Sequence, residues 1–284
     1  MHSESETLRA IDAGLEAQYA LRARHPERDD IYRDHLKRSA ALREAGDCRL
    51  DIRYGAGPRC LLDVFPAGEG APVFFFVHGG YWRALDKSYV SFIAEHYRNA
   101  GMTVVMPTYD LVPAVRVAGI VEQIRLALAW TLAHLRPARV VVGGHSAGGQ
   151  LAAMLALDQA VRGQGRIVGL VGVSGAFDLR PLLKTSINRD LTLSPDEADE
   201  LSPLLRLHRL SKGARLVPLL GVVGGDETNG FKQWTSGLVS DWRKQDGEAD
   251  YCEIPASNHF TVLDHIADAE GDVFRAVTAM IGQH

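Results

Sequence analysis

Residues 139–157 read R-V-V-V-G-G-H-S-A-G-G-Q-L-A-A-M-L-A-L. A short β-branched run ends in glycines, a serine follows, and a helix-forming run of Ala, Leu and Met comes next. Ser146 therefore lies where a predicted strand turns into a predicted helix, with Gly144 and Gly148 at the G-x-S-x-G spacing of a nucleophile elbow. Glycine is needed at both places because a side chain there would collide in so tight a turn. The alternatives are an ordinary glycine-rich turn between a strand and a helix, or a phosphate-binding loop. Against the phosphate-binding loop, no Lys-Ser or Lys-Thr follows the glycines.

Outward from this stretch, strand-like and helix-like segments alternate along the chain. The predicted strands are residues 72–77, 103–106, 140–143, 167–173, 218–223 and 251–254, and the predicted helices are 88–100, 117–135, 147–161, 231–244 and 263–281. Strict alternation predicts an α/β fold with a mostly parallel sheet and helices on both faces. Residues 48–54 and 59–65 alternate around a glycine-rich turn, which predicts an antiparallel hairpin at one edge.

Two segments lie outside this alternation. Residues 1–46 are charged and carry Leu8, Ile11 and Leu15 at helical spacing, so we predict an N-terminal helical arm. The arm could pack on its own chain or on a second copy, and a homodimer is therefore one expectation. Residues 47–284 form the predicted main domain, in which 177–213 contain no strand-like run. We predict that this insertion is a small helical cap over the strand ends, where open α/β sheets bind ligands.

Composition narrows the class of protein. The chain has 284 residues, with 46% hydrophobic and 23% charged residues, as in ordinary soluble globular proteins. A net charge of −4 and no basic block predict neither a nucleic-acid partner nor a membrane partner. Three cysteines without C-x-x-C spacing and a polar, acidic N-terminus predict reduced thiols and a cytoplasmic location. No H-E-x-x-H motif or Cys/His cluster indicates a zinc site.

A serine hydroxyl needs a histidine to accept its proton and a carboxylate to orient that histidine. After an elbow of this type the chain order is serine, then Asp or Glu, then histidine. We predict His259 as the base because it directly follows the last predicted strand. His208 lies in the predicted cap, His265 within the last predicted helix, and His284 at the chain end.

The acid should follow the predicted strand 218–223, where the sequence reads Gly-Gly-Asp-Glu at 224–227. We predict Asp226, because it comes first after the glycine turn. Glu227 is the second candidate, expected to face solvent or to begin a helix. Asp178 is the third, at another predicted strand end.

The tetrahedral intermediate of acyl transfer also needs hydrogen-bond donors for its oxyanion. The N–H of Ala147, directly after the predicted nucleophile, is one such donor. Gly79 and Gly80 follow the strand 72–77 in the stretch H-G-G-Y-W and are the others, unless they form a simple tight turn. Tyr81 and Trp82 are predicted substrate-binding residues that wall an aromatic pocket, although packing of Trp82 against the sheet explains it equally well.

The motifs H-G-G-Y-W and G-H-S-A-G-G together resemble the α/β-hydrolase group that contains kynurenine formamidases and carboxylesterases of the hormone-sensitive-lipase type. Tyr81 stands where the lipase relatives usually carry a third glycine, as in the formamidase branch. Residues 16–19, 178–182 and 185–188 are similar to that branch too, so the resemblance covers nearly the whole chain. It implies a triad of Ser146, Asp226 and His259, a small-molecule substrate, and neither metal nor cofactor.

The resemblance also implies an activity. We expect a serine hydrolase that works through an acyl-enzyme and cleaves an arylformamide such as N-formyl-L-kynurenine. Arg83 and Asn188 are possible partners for the charged groups of such an amino-acid substrate. A broad short-chain carboxylesterase is the alternative, and a non-catalytic binding protein on the same fold is a remote one, since no member of the predicted triad is missing.

Overall fold

A computed structural model describes residues 10–211 and 213–282. Its centre is a sheet whose strands have the spatial order β1-β2-β4-β3-β5-β6-β7-β8. The strands β1 and β2 are antiparallel to their neighbours, and the remaining pairs are parallel. The strands are β1 Arg49–Arg53, β2 Leu61–Phe65, β3 Val73–Val77, β4 Thr103–Pro107, β5 Val140–His145, β6 Ile167–Val173, β7 Leu219–Gly224 and β8 Ala249–Ile254.

Helices precede, connect and follow these strands. In chain order they are α1 Ala13–Tyr19, α2 Arg28–Glu44, α3 Ala94–Asn99, α4 Val117–Leu135, α5 Ala147–Leu157, α6 Gln159–Arg162, α7 Asn188–Leu191, α8 Pro195–Glu200, α9 Pro203–His208, α10 Asn229–Lys244, α11 Val262–Ile266 and α12 Asp272–Gly282. Among the described residues, no helix is both long enough and apolar enough to cross a membrane.

Both faces of the sheet are covered, which explains the continuous apolar run of β3. Phe74 and Phe76 lie in a core layer that contains Tyr97, whereas Phe75 packs in the opposite layer with Leu151 of α5. Alternate residues of a strand point to opposite faces, so a strand between two helical layers must be apolar throughout. The predicted α/β fold with a mostly parallel sheet is confirmed, and so is the antiparallel hairpin at its edge.

Three predicted helices differ from the structure. Residues 147–161 are divided between α5 and α6, because Asp158 between them has an extended backbone. Residues 88–100 contain α3 only from Ala94, because the preceding turns close as 3₁₀ turns, with Val90 N donating to Lys87 O and Ile93 N to Val90 O. Residues 263–281 are divided between α11 and α12, and a turn that Gly271 N closes on Asp268 O separates them.

The arm packs on its own chain. Tyr19 is buried, with its ring stacked on Trp234 at 4.2 Å between centroids. Leu15 contacts the same core, whereas Ile11 is 40% exposed and precedes α1, and Leu8 lies outside the described residues. The insertion after β6 forms a 3₁₀ turn at Arg180–Lys184 and the short helices α7 to α9. Asp12 N donates to Lys184 O, which joins the arm to this insertion.

Candidate active site

Ser146 lies between β5 and α5 with a backbone φ of 57° and ψ of −119°. A non-glycine residue at positive φ stores backbone strain, typically about 1–3 kcal/mol, and such residues cluster at functional sites. Its N–H donates to Val173 O at 2.9 Å, which fixes the turn to the neighbouring strand β6. The predicted strand-to-helix turn at this serine is confirmed.

The two glycines of the elbow are required by close backbone contacts. A Cβ on Gly144 would lie 2.2 Å from the carbonyl oxygen of Gly148, and one on Gly148 would lie 2.1 Å from that of Val77. Real Cβ atoms do not approach backbone oxygens so closely. Helix α5 can therefore begin directly against the end of β3, with Ser146 at the corner.

His259 follows β8 and contacts a carboxylate, but not the predicted one. Its Nδ1 lies 2.7 Å from Oε2 of Glu227, and both side chains are buried. Asp226 is exposed, whereas the carboxylate bonded to His259 is that of Glu227. The expectations that Asp226 orients His259 and that Glu227 faces solvent are corrected. Asp178 pairs with Arg180.

Glu227 is held by further donors. Its Oε1 accepts from Gly224 N at 2.8 Å and from the hydroxyl of Ser174, which follows β6. The hydrogen bond from Glu227 N to Gly224 O closes a tight turn that sends this side chain back under the sheet end. Asp226 and Glu227 follow the same strand, and this turn together with the contacts to Ser174 and His259 separates them. Sequence spacing offered no signal for the choice.

The contact with Glu227 fixes the tautomer of His259. A carboxylate can only accept, so Nδ1 carries the hydrogen and Nε2 keeps its lone pair. The neighbouring ring of His145 lies 4.6 Å away between centroids, and its Nε2 donates to the backbone oxygen of His259 at 2.8 Å. Burial, and next the nearby His259, lower the pKa of His145 well below 6.5, so this ring is neutral.

The glycine loop after β3 runs beside the nucleophile. A Cβ on Gly79 would lie 3.0 Å from Cβ of Ser146, and one on Gly80, whose φ is +111°, would lie 2.1 Å from Ala84 O. Within residues 10–211 and 213–282, the N–H groups of Gly79, Gly80 and Ala147 donate to no protein group. These are the three donors that the sequence predicted for an oxyanion.

His78 holds this loop from behind. Its Nδ1 donates to Gly79 O at 2.7 Å, so its Nε2 accepts from the hydroxyl of Thr108 at 3.3 Å. The ring stacks on Tyr109 at 4.4 Å between centroids, and the Tyr109 hydroxyl donates to His78 O at 3.1 Å. Burial lowers the pKa of His78 to about 4, so the ring stays neutral and the loop keeps its shape at neutral pH.

Ser146, His259, Gly79 and Gly80 line one cavity of about 300 Å³. Tyr81 lines it too, as predicted. Trp82 does not, because it is fully buried behind the loop with Nε1 donating to Gln150 Oε1 at 3.2 Å, and its predicted substrate contact is corrected. The other walls come from the insertion, at Ser186 and Ile187, and from the arm.

The arm is bonded to both sides of this cavity. The Tyr81 hydroxyl donates to Tyr19 O at 2.7 Å, beside the glycine loop. The Thr228 hydroxyl donates to Gln18 O, and Gly230 N donates to Gln18 Oε1, each at 2.8 Å. The arm residues therefore belong to the site, which the sequence left open.

Comparison with known proteins identifies the family to which this fold belongs. Residues 74–261 match the family model described as an alpha/beta hydrolase fold. The chain belongs to the α/β-hydrolase fold family. This α/β-hydrolase is a hydrolytic enzyme, as the sequence predicted, and curated relatives carry hydrolase names. Kynurenine formamidase from Salmo salar is 26% identical over 90% of each chain, and that from Drosophila melanogaster is 28% identical over 79% of this chain and 78% of its own.

Solved structures show the same fold. A protein from Silicibacter sp. TM1040, provisionally described as a thioesterase, has a TM-score of 0.81 and 33% identity over 93% of this α/β-hydrolase and 98% of its own chain. The carboxylesterase EstE1 from a metagenomic library has a TM-score of 0.67 and 19% identity, over 89% and 93% of the two chains.

Proposed function

We propose that this α/β-hydrolase is a kynurenine formamidase-like arylformamidase that uses Ser146 as nucleophile, His259 as base and Glu227 as the orienting acid. One observation carries the proposal. A histidine whose tautomer is set by a buried glutamate lines the same cavity as a serine on a strained elbow. This is the arrangement that activates a serine hydroxyl.

In the proposed reaction, Oγ of Ser146 attacks the formyl carbon while Nε2 of His259 takes the hydroxyl proton. The carbonyl oxygen becomes an oxyanion between the N–H groups of Gly79, Gly80 and Ala147. The carbon–nitrogen bond then breaks, and the proton on His259 passes to the departing arylamine. Water, deprotonated by His259, attacks the formyl-enzyme; the bond from the formyl carbon to Oγ of Ser146 breaks, and His259 returns the proton to Oγ as formate leaves.

We propose a formamide and not an ester as the substrate, because curated relatives that share most of the chain length are named kynurenine formamidases. The cavity supports an aromatic leaving group, because Tyr32, Tyr89 and Phe260 line it. A short-chain carboxylesterase is the alternative, since the same groups would cleave an ester. A non-catalytic binding protein would not need a buried glutamate that orients His259, so the Glu227–His259 pair argues against that alternative. A cytoplasmic location, a homodimer and the absence of nucleic-acid and membrane partners stay predictions.

The test compares kcat/KM for N-formyl-L-kynurenine, followed by formate release, with kcat/KM for short p-nitrophenyl esters and a short acyl thioester. We expect the formamide to be the best substrate. An efficiency on the formamide well below that on the esters or the thioester would overturn the formamidase proposal.

The nucleophile is tested separately with a phosphonate probe. Its mass should add to Ser146, and Ser146→Ala should lose both labelling and hydrolysis. Ser236→Ala is the matched control, because Ser236 is exposed on α10 and does not line the cavity. Labelling of another serine would refute the assignment of the nucleophile.

A further inference from the structure

The turn that joins α1 to α2 forms one wall of the active-site cavity. Residues 20–27, which we call the arm turn, contribute Ala20, Leu21, Arg22 and Ala23 to the lining. Ser146, Gly79 and Gly80 line the same cavity. A substrate with its carbonyl at the serine would therefore share this cavity with the arm turn.

Apart from histidines, four of the described side chains that line the cavity belong to the charged residue types Asp, Glu, Lys and Arg: Glu16, Arg22, Arg28 and Arg83. Two of the arginines have carboxylate partners. Arg83 pairs with Asp190, and Arg28 pairs with Asp29 at 2.9 Å. These pairs balance two of the three positive charges.

Glu16 is also engaged, since its carboxylate accepts from the N–H and the hydroxyl of Ser186. Arg22 differs from the other three. It is exposed, and within residues 10–211 and 213–282 its guanidinium has no carboxylate partner. Among the charged side chains of the cavity, Arg22 is therefore the one described arginine without a carboxylate partner, while Glu16 is bonded to the neutral donors of Ser186 on the insertion.

The position of Arg22 is constrained by its surroundings. Nη1 of Arg28 donates to the backbone oxygen of Arg22 at 3.4 Å, which ties the arm turn to the start of α2. Burial raises the pKa of Tyr32 to about 12, and the charges of Arg28 and Arg22 oppose that rise. Arg22 thus lies near an aromatic ring that lines the same cavity.

We infer that Arg22 forms an anion-binding subsite that selects substrates with a carboxylate on an aromatic leaving group. Such a group would rest on Tyr32, Tyr89 and Phe260 while its carboxylate meets the guanidinium, which offers planar paired donors. The inference rests on the proposed function and deepens it, since Arg22 takes a role for which the sequence offered Arg83 and Asn188 as possible residues. Arg83 is occupied by Asp190, and Asn188 bonds the backbone of Leu193.

The chain offers a matched control two residues away. Arg24 lies on the same arm turn, is exposed, and does not line the cavity. Arg22→Gln and Arg24→Gln remove the same charge from neighbouring positions, so they separate a local contact from a general electrostatic effect. Arg22→Lys keeps the charge and serves as the conservative variant.

The experiment uses two substrate pairs that differ in one charge. The formamide pair is N-formyl-L-kynurenine and its primary carboxamide, and the ester pair is para-acetoxybenzoate and para-acetoxybenzamide. The readout is kcat/KM for the charged member divided by kcat/KM for the neutral one. Intrinsic reactivity cancels when this ratio is compared between variants.

For Arg22→Gln we expect the ratio to fall about fivefold, because a partly exposed ion pair contributes about 1 kcal/mol. Arg22→Lys should retain most of it, and Arg24→Gln should change it less than about twofold. The wild-type ratio should also fall as salt is raised. An unchanged ratio in Arg22→Gln, or an equal loss in Arg24→Gln, would overturn the inference.

The two substrate pairs keep this result distinct from the proposed function. If the enzyme cleaves the esters but not the formamides, the formamidase proposal fails while the ester pair still tests Arg22. If the formamides are cleaved without any dependence on Arg22, the subsite fails and the proposed function stands. Phosphonate labelling of Ser146 in each variant confirms a folded active site.

Discussion

Replacing Glu227 by Gln tests the corrected acid directly. The glutamate uses both oxygens: Oε2 faces Nδ1 of His259, and Oε1 accepts from Gly224 N and the Ser174 hydroxyl. A glutamine has one oxygen and one NH₂ group at the same positions. The variant must therefore give up either the contact with the histidine or the bonds at Oε1.

The two donors at Oε1 decide which contact is lost. If the amide oxygen stays there, its NH₂ faces Nδ1 of His259 and forces the hydrogen onto Nε2, which can then no longer accept the proton of Ser146. In the reversed orientation the NH₂ group faces Gly224 N–H. Both groups are donors, so Gly224 N–H is left without an acceptor, which costs about 1–3 kcal/mol. Either state also lacks the negative charge that stabilises the imidazolium. We expect kcat to fall about 10³–10⁴-fold, or about 4–5.5 kcal/mol.

The assay is steady-state hydrolysis of the best substrate, with active sites counted by phosphonate labelling. Asp226→Asn is the control, because Asp226 is exposed and adjacent in sequence, and it should retain activity within about twofold. A large loss in Asp226→Asn, or an Glu227→Gln variant within tenfold of the wild type, would refute the assignment of Glu227.

Two further predictions concern stability. His78 has a pKa of about 4 in the folded protein against 6.5 ordinarily, so the unfolded chain binds the extra proton first. The free energy of unfolding that depends on a neutral, buried His78 should be complete above pH 6.5 and should fall by about 3 kcal/mol as the pH decreases to 4, as urea unfolding would measure. His78→Asn should flatten this pH dependence. An equally steep dependence in the variant would contradict the reasoning. Tyr19→Ala removes the buried ring stacked on Trp234 and should cost about 3 kcal/mol, with faster protease cleavage in the arm; unchanged cleavage would show that another contact holds the arm.

The parallel sheet and the elbow could be predicted from the sequence because their signals are local. The apolar run of β3 reports burial on both faces, and Gly144 and Gly148 report one close turn. Each of these features is decided within a few residues of the chain. His259 also carries a local signal, since it lies in the loop after β8, and its role as the base stays a prediction.

The choice between Asp226 and Glu227 depended on contacts that are distant in sequence. Ser174 is 53 residues from Glu227, and His259 is 32 residues away. The sequence rule places the acid at the first carboxylate after the glycines, which is Asp226. The turn closed by Glu227 N on Gly224 O instead directs the longer side chain of Glu227 to the histidine. Trp82 was misplaced for a similar reason, since its partner Gln150 is 68 residues away.

The arm shows why a whole wall of the site was beyond sequence reasoning. Its helical spacing predicted that one face packs on something, but not on what. In the structure Tyr19 O accepts from Tyr81, 62 residues away and next to the glycine loop, while Gln18 O accepts from Thr228, 210 residues away and next to Glu227. The arm thus connects the glycine loop to the loop that carries Glu227. It follows that weakening the arm should affect catalysis as well as stability, although the arm's inferred role, through Arg22, is to bind the leaving group and not to take part in the bond-making steps.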